Sequence, residues 1–286
     1  MKGVYAPAPF CGRRRPFSMC RFHFLRSWCV SAALASAVLP ACDNEAKDAR
    51  KGALAYSENA RAAYTKALQA FAAKDWEEAK PLFEDVKKQF PYSPYARQAE
   101  LRLADISFEQ EKYADSAAAY RDFLQKHHAD RDAEYARYRT VKALFKDVDE
   151  TFFLPPLEER DQSTTLDAYK EILTFMREFP RTRYRTDVEY MREVTTGRLV
   201  RHELYVARYY LRADNLDAAV ARCDEALKKY PNSGLDAEAL VLKGETLLKL
   251  GRKEEAKEAF MRVIREYGGP FATTAKSFLA VAQKAN

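Results

Sequence analysis

Five cysteines and four histidines are the side chains best able to bind a metal or attack a substrate, and their spacing supports neither. Cys11, Cys20, Cys29 and Cys42 fall in the first 42 residues, leaving Cys223 alone in the remainder. His127 and His128 are adjacent near a helix end and His202 stands by itself, so no zinc-ligand pattern forms. The chain lacks a glycine-rich phosphate loop. Its carboxylates stand beside Lys and Arg at helical spacing, as in Glu254-Glu255 with Lys257, the pattern of a solvated helix face. The expectation is a protein that is not an enzyme, has no cofactor or metal, and works by binding.

One cysteine has a chemistry of its own. Residues 27–39 (SWCVSAALASAVL) form an uncharged, mostly apolar run after Arg21 and Arg26, the arrangement of a secretory signal. The run is shorter than the ~20 apolar residues a membrane span needs. It ends Leu39-Pro40-Ala41-Cys42, which resembles the lipobox of bacterial lipoproteins. That resemblance implies a signal peptide over 1–41, cleavage before Cys42, and acylation of the Cys42 thiol and of its new amino group. The leader reads most conventionally from Met19. An ordinary signal peptide with a chance cysteine is the alternative. With Cys42 consumed by lipid, Cys223 has no disulfide partner, so stability must come from packing. The segment 1–41 carries Lys2, Arg13, Arg14, Arg15, Arg21 and Arg26 and no acidic residue, so the formal charge of +6 belongs to the leader. The rest is balanced, which argues against nucleic acid as a partner.

The elements that position any binding residues follow from an internal repeat. The passages KDWEEAKPLFEDVKKQFP (74–91) and GRKEEAKEAFMRVIREYG (251–268) superimpose directly. A small residue recurs at Ala79, Ser116, Ala168, Ala219 and Ala256. A larger one follows four residues on, at Phe83, Tyr120, Ile172, Cys223 and Phe260, and a helix-ending position twelve on, at Pro91, His128, Pro180, Pro231 and Gly268. Small residues let antiparallel helices approach, and the larger one fills the space a turn later. Twelve residues upstream stand Ala67, Ala104, Ala207 and Gly244. This is the tetratricopeptide pattern, with a period of ~34 residues. The frame predicts an all-α fold, a right-handed superhelix of about five helix hairpins whose concave face is lined by the first helix of each. Two excursions interrupt it. FFLPPLEERDQ predicts a loop between the helices of the third repeat, and the stretch after Pro180 predicts a lengthened first helix in the fourth, broken near Gly197. The organisation read from this is a polar tether over 42–54, repeats 1–3 over 55–180 and repeats 4–5 over 181–286.

More specific segments lie between the frame positions: Phe90-Pro91-Tyr92-Ser93-Pro94-Tyr95-Ala96, Glu134-Tyr135-x-x-Tyr138, Arg160-Asp161, and Glu203 through Leu211 (ELYVARYYL). In that order behind a lipobox, they resemble the BamD family, also called ComL or YfiO, of the outer-membrane β-barrel assembly (Bam) machinery, over about residues 55–265. The resemblance implies a non-enzymatic lipoprotein anchored at the periplasmic face of the outer membrane. Its C-terminal repeats would contact the POTRA domains of the barrel-forming BamA subunit, and its N-terminal repeats would receive C-terminal targeting segments of unfolded barrel proteins. Other Bam lipoproteins are further partners. Arg222 matches a family arginine at the BamA side. For the substrate groove, helix geometry nominates Tyr64, Leu68 and Phe71, then Leu101, Asp105 and Phe108, then Tyr135, Tyr138 and Lys142. The alternative for these aromatics is plain core, with Tyr135 and Tyr138 expected to be the more exposed. Asp43, directly after the lipidated position, is an inner-membrane retention signal in enterobacterial lipoproteins and leaves the destination between the two membranes. A periplasmic tetratricopeptide adaptor of cell-wall or division machinery is the competing function. A cell-wall enzyme carrying the repeats lacks room for a catalytic domain.

Overall fold

In the computed structural model, which describes residues 41–148 and 155–284, those residues form helices and no strand. The order is α1 (Ala41–Ala72), α2 (Trp76–Gln89), α3 (Pro94–Glu109), α4 (Tyr113–Lys126), α5 (Ala133–Asp147), a 3-10 turn (Leu157–Glu159), α6 (Ser163–Glu178), α7 (Arg185–Arg212), α8 (Leu216–Lys229), α9 (Asp236–Lys249), α10 (Lys253–Glu266) and α11 (Gly269–Lys284). The fold is all-α, built of tetratricopeptide-type hairpins. The chain divides into two units, 1–49 and 50–286. Of the first, only the opening turns of α1 are described. The signal-peptide assignment and the start at Met19 lie outside the described residues. The stretch 42–54, expected as a tether, is helical throughout as the first part of α1.

The repeat frame maps onto the structure position by position. Ala79, Ser116, Ala168, Ala219 and Ala256 have no exposed surface, and neither do Phe83, Tyr120, Ile172, Cys223 and Phe260. Each helix-ending position falls two residues past the last helical residue of α2, α4, α6, α8 and α10. In the preceding helices Ala67, Ala104 and Ala207 are buried. A Cβ added to Gly244 would lie 2.6 Å from the Phe260 ring, so only glycine fits that approach. Burial pushes the Cys223 thiol up to about 12, so it behaves as a small apolar group rather than a nucleophile. The third repeat departs from the spacing: twelve residues before Ala168 stands Pro156, in the loop. Ala143 of α5, fully buried, packs with Ala168 instead.

The turns within four of the hairpins, all but α5–α6, share one geometry. Lys74, Glu111, Asp214 and Gly251, each five residues before a frame position, hold positive φ. The next amide in each bonds back five residues, as Asp75 N–H does to the Ala70 carbonyl and Arg252 N–H to that of Leu247, at 3.0 and 2.9 Å. This is the left-handed helix stop that satisfies the last carbonyls. Because α9 and α10 touch at Ala256, Ala256→Leu is expected to lower stability by about 1–3 kcal/mol through overpacking. A thermal melt unchanged from the parent would show that the two helices do not meet there.

α7 corrects one expectation. It runs unbroken over 28 residues through Gly197. A glycine costs a helix only about 1 kcal/mol, and Gly197 is flanked by buried residues on its own turns: Thr195, Thr196, Leu199 and Val200. Packing on both sides outweighs that cost. The first half of α7 contributes Val188 and Met191 to a core with Val141, Ile172 and Phe175, and its second half contributes Leu199, Leu204 and Ala207 to a core with Cys223.

Candidate functional site

Asp105 stands on α3 one turn after Arg102 and is 2% exposed. An ionised carboxylate at that depth is tolerated only when donors surround it, and four do. Arg102 Nη1 donates to Oδ2 at 2.5 Å. The Tyr135 hydroxyl donates to Oδ1 at 2.7 Å, and the Tyr120 hydroxyl donates to the same oxygen. Arg139 Nε lies 3.4 Å from Oδ1 and donates to the Tyr120 oxygen at 3.0 Å. The spacings that bring these groups together are helical: Arg102 and Asp105 are three apart on α3, and Tyr135 and Arg139 four apart on α5. Tyr120, the larger frame residue of α4, completes the cluster from behind.

Rings flank the two guanidiniums. Arg139 sits 4.0 Å over the Phe108 ring, and Arg102 lies 5.8 Å from Phe71 and 5.9 Å from Tyr135, within cation–π range. Burial and the adjacent Asp105 carboxylate raise the Tyr120 and Tyr135 phenols well above the ordinary tyrosine range. Burial works against charge on Arg102 and Arg139, and the Asp105 carboxylate and neighbouring phenols outweigh it, so both pKa values are raised and both side chains stay charged. The cluster thus carries two fixed cations against one buried anion. Glu109, 45% exposed, reaches Arg139 at 3.5 Å from the rim.

The nominated groove residues divide three ways. Phe71, Asp105, Phe108 and Tyr135 meet at this cluster. Leu68 and Leu101 are packing residues, Leu101 being 3% exposed, and Tyr64 does both: it lies between the rings of Phe83 and Tyr95, at 5.6 and 5.4 Å, and its side chain hydrogen-bonds Arg102 of the cluster. Tyr138 and Lys142 belong to a separate group facing α7. The Tyr138 hydroxyl donates to Asp187 Oδ2, and Lys142 Nζ reaches the Tyr138 oxygen at 3.0 Å and Asp187 at 3.4 Å. The Tyr138 ring stacks on Tyr184 at 3.9 Å, 3° from parallel. The expected exposure of Tyr138 is corrected: it is 7% exposed, its phenol having found a partner inside the fold. Sequence reasoning missed Arg102 and Arg139, although each lies one helical turn from a nominated residue.

At the other end, Arg222 of α8 does not stand free. Its Nη1 donates to Glu203 Oε2 at 3.1 Å and lies 3.5 Å from Glu225 Oε2. Glu203, on α7, is 9% exposed. Burial opposes the Arg222 charge, but the Glu203 hydrogen bond overcomes it, and the pKa is raised.

Stacked helix hairpins that hold paired charges and aromatic rings on their first helices define a tetratricopeptide-type repeat scaffold. The family model for the YfiO outer membrane lipoproteins matches residues 57–262, and the chain belongs to that family. It is 25% identical over 229 residues to the outer membrane protein assembly factor BamD of Caulobacter vibrioides, covering 80% of this chain and 72% of that one. It is 28% identical over 201 residues to the protein of the same name from Xylella fastidiosa strain Temecula1, covering 68% of each. A solved thermophilic tetratricopeptide protein of Thermus thermophilus has a TM-score of 0.34 and 17% identity over 78% of this chain and 98% of that one.

Proposed function

We propose that this protein is a scaffold and substrate-receiving lipoprotein of outer-membrane β-barrel assembly. It is anchored through Cys42 at the periplasmic face, its C-terminal repeats bind the POTRA domains of a BamA-like barrel protein, and its N-terminal repeats take targeting segments of unfolded outer-membrane proteins. The family match over 57–262, with relatives named as assembly factors, carries this reading. Further support comes from the charged, aromatic cluster around Asp105, suited to holding a peptide through rings and guanidiniums, and from a partly exposed Arg222 at the C-terminal repeats. The protein performs no catalysis in this role; it positions two partners. Copurification from detergent-solubilised envelopes tests it: a POTRA-containing barrel protein should come down with the chain, and its absence would return the chain to the generic adaptor reading.

No described helix is long and apolar enough to cross a membrane. In this reading the attachment is the lipid on Cys42 at the outer membrane, and retention at the inner membrane through Asp43 is the alternative destination. Cys42→Ser is expected to yield a soluble or uncleaved protein with unchanged helical circular dichroism. Mass spectrometry of the parent's mature N-terminus should find an acylated Cys42, and an unmodified terminus elsewhere would remove the anchor from the proposal.

A further inference from the structure

We propose that the turn between α6 and α7 is a docking surface for an acidic, extended segment of a protein partner, one apolar side chain of which seats in the cavity that the turn lines. This surface shares no residue with the cluster around Asp105 or with the Glu203–Arg222 pair, and the inference does not rest on the roles proposed above. The stretch 176–189 carries four arginines, Arg177, Arg181, Arg183 and Arg185, and three carboxylates, Glu178, Asp187 and Glu189. Each of the three carboxylates already has a cation. Glu178 is held by Arg137 of α5 at 3.1 Å, Asp187 by Lys142 of α5 at 3.4 Å, and Glu189 by Arg185 at 2.9 Å. Because α5 supplies two of those cations, no carboxylate among the described residues pairs with Arg177, Arg181 or Arg183, and all three are exposed. Arg183 is held in place without being neutralised. Its guanidinium lies 4.8 Å from the centre of the Tyr184 ring and donates to that residue's hydroxyl at 2.6 Å, and the Tyr184 ring is itself stacked on Tyr138. Thr182 fixes the backbone of the turn: its hydroxyl donates to Glu134 Oε1 at 2.6 Å and accepts the Tyr184 N–H at 3.0 Å. A cation fixed by a ring and a phenol meets an incoming carboxylate with little loss of side-chain freedom.

The cavity decides which anion the arginines serve. Its volume is about 160 Å³, its apolar lining is Met176, Phe179, Pro180 and Val188, and the Arg185–Glu189 pair stands among them. That volume is below the ~300 Å³ at which small-molecule sites begin. It suits a single apolar side chain, the kind of anchor around which protein interfaces are built, and leaves no room for an acyl chain. Met176, Pro180 and Thr182, all lining the cavity, are the chain neighbours of Arg177, Arg181 and Arg183. A partner served by both features carries carboxylates on either side of one leucine-sized residue. An acidic peptide does so, and a lipid headgroup does not.

The test uses the full chain in non-ionic detergent and three short fluorescent peptides. One has a central Leu between Asp and Glu residues, one has Ser in place of the Leu, and one has Asn and Gln in place of the acids. The parent should bind the first roughly tenfold more tightly than either of the others, the range expected for one buried leucine-sized side chain and for two or three exposed ion pairs, and added salt should weaken it. Arg181→Gln with Arg183→Gln should lower the affinity roughly tenfold and erase the preference for the acidic peptide, with a circular dichroism melt that matches the parent. Arg177→Gln with Arg181→Gln, which removes two side chains that pair with no carboxylate, should do the same without touching the Tyr184 stack. Arg131→Glu, at an arginine 81% exposed in the turn between α4 and α5, should leave binding unchanged. Absence of binding to the parent, equal affinity for the Leu and Ser peptides, or an equal loss in Arg131→Glu overturns the proposal. Displacement of the acidic peptide by dihexanoyl phosphatidylglycerol, a soluble anionic lipid, would make the arginines a headgroup site and overturn it too. The roles proposed above stand or fall separately, on copurification.

Discussion

Asp105→Ala is expected to destabilise the protein by about 3–5 kcal/mol, the cost of removing one partner from a buried charge cluster. The substitution leaves two guanidiniums and two phenols facing a cavity at the junction of α3, α4 and α5, with no acceptor in place of the carboxylate. Asp105→Asn, which keeps an acceptor oxygen, should lose less. Tyr135→Phe, which deletes a single hydroxyl, should lose about 1 kcal/mol. Urea titration followed by circular dichroism gives the order, and hydrogen exchange locates it: protection should fall first in α3 and α5. An Asp105→Ala midpoint equal to that of the parent would mean the cluster does not hold the second and third repeats together.

Arg222→Glu should cost about 1–2 kcal/mol, between an exposed and a buried ion pair, because Arg222 keeps over a third of its side chain in water while Glu203 is nearly buried. Glu203 would lose its partner and face a like charge, with Glu225 beside it. Loss of partner binding in that variant alone would therefore say nothing about an interface. The exchanged pair, Glu203→Arg with Arg222→Glu, separates the two roles. Stability should return in the double variant, because the opposite charges face each other again across α7 and α8. If the Arg222 guanidinium also touches the POTRA-containing partner, binding should stay lost. Binding that returns with stability would make Arg222 a packing residue and nothing more.

The residues that were legible from sequence and those that were not differ in what reports on them. A small residue, a larger one after four and a breaker after twelve repeat because every hairpin must solve the same packing problem, and that frame located each of Ala79, Phe83, Ala256 and Phe260 in the core. The third repeat hid its counterpart, Ala143, because the loop between α5 and α6 inserts residues between two helices that still have to touch. In α7 glycine suggested a break, but a propensity cost of about 1 kcal/mol is small beside two flanking cores. The cluster around Asp105 was half legible for a different reason. Tyr135 with Arg139 and Tyr138 with Lys142 are both one-turn pairs on α5, displaced by only three residues, so spacing alone could not say which pair met α3 and which met α7. Arg102 gives no signal of its own in the sequence, because it is the next repeat that places Tyr135 against it.

The unbroken α7 ties the core of the third repeat to that of the fourth in one rod. At 1.5 Å per residue its 28 residues span about 42 Å, with the first turns clamped beside Ile172 and Phe175 and the last beside Cys223. A rod gripped at both ends has no joint between them. Its continuous backbone links the contacts with α5 and α6 to the helix pair that carries Glu203 and Arg222.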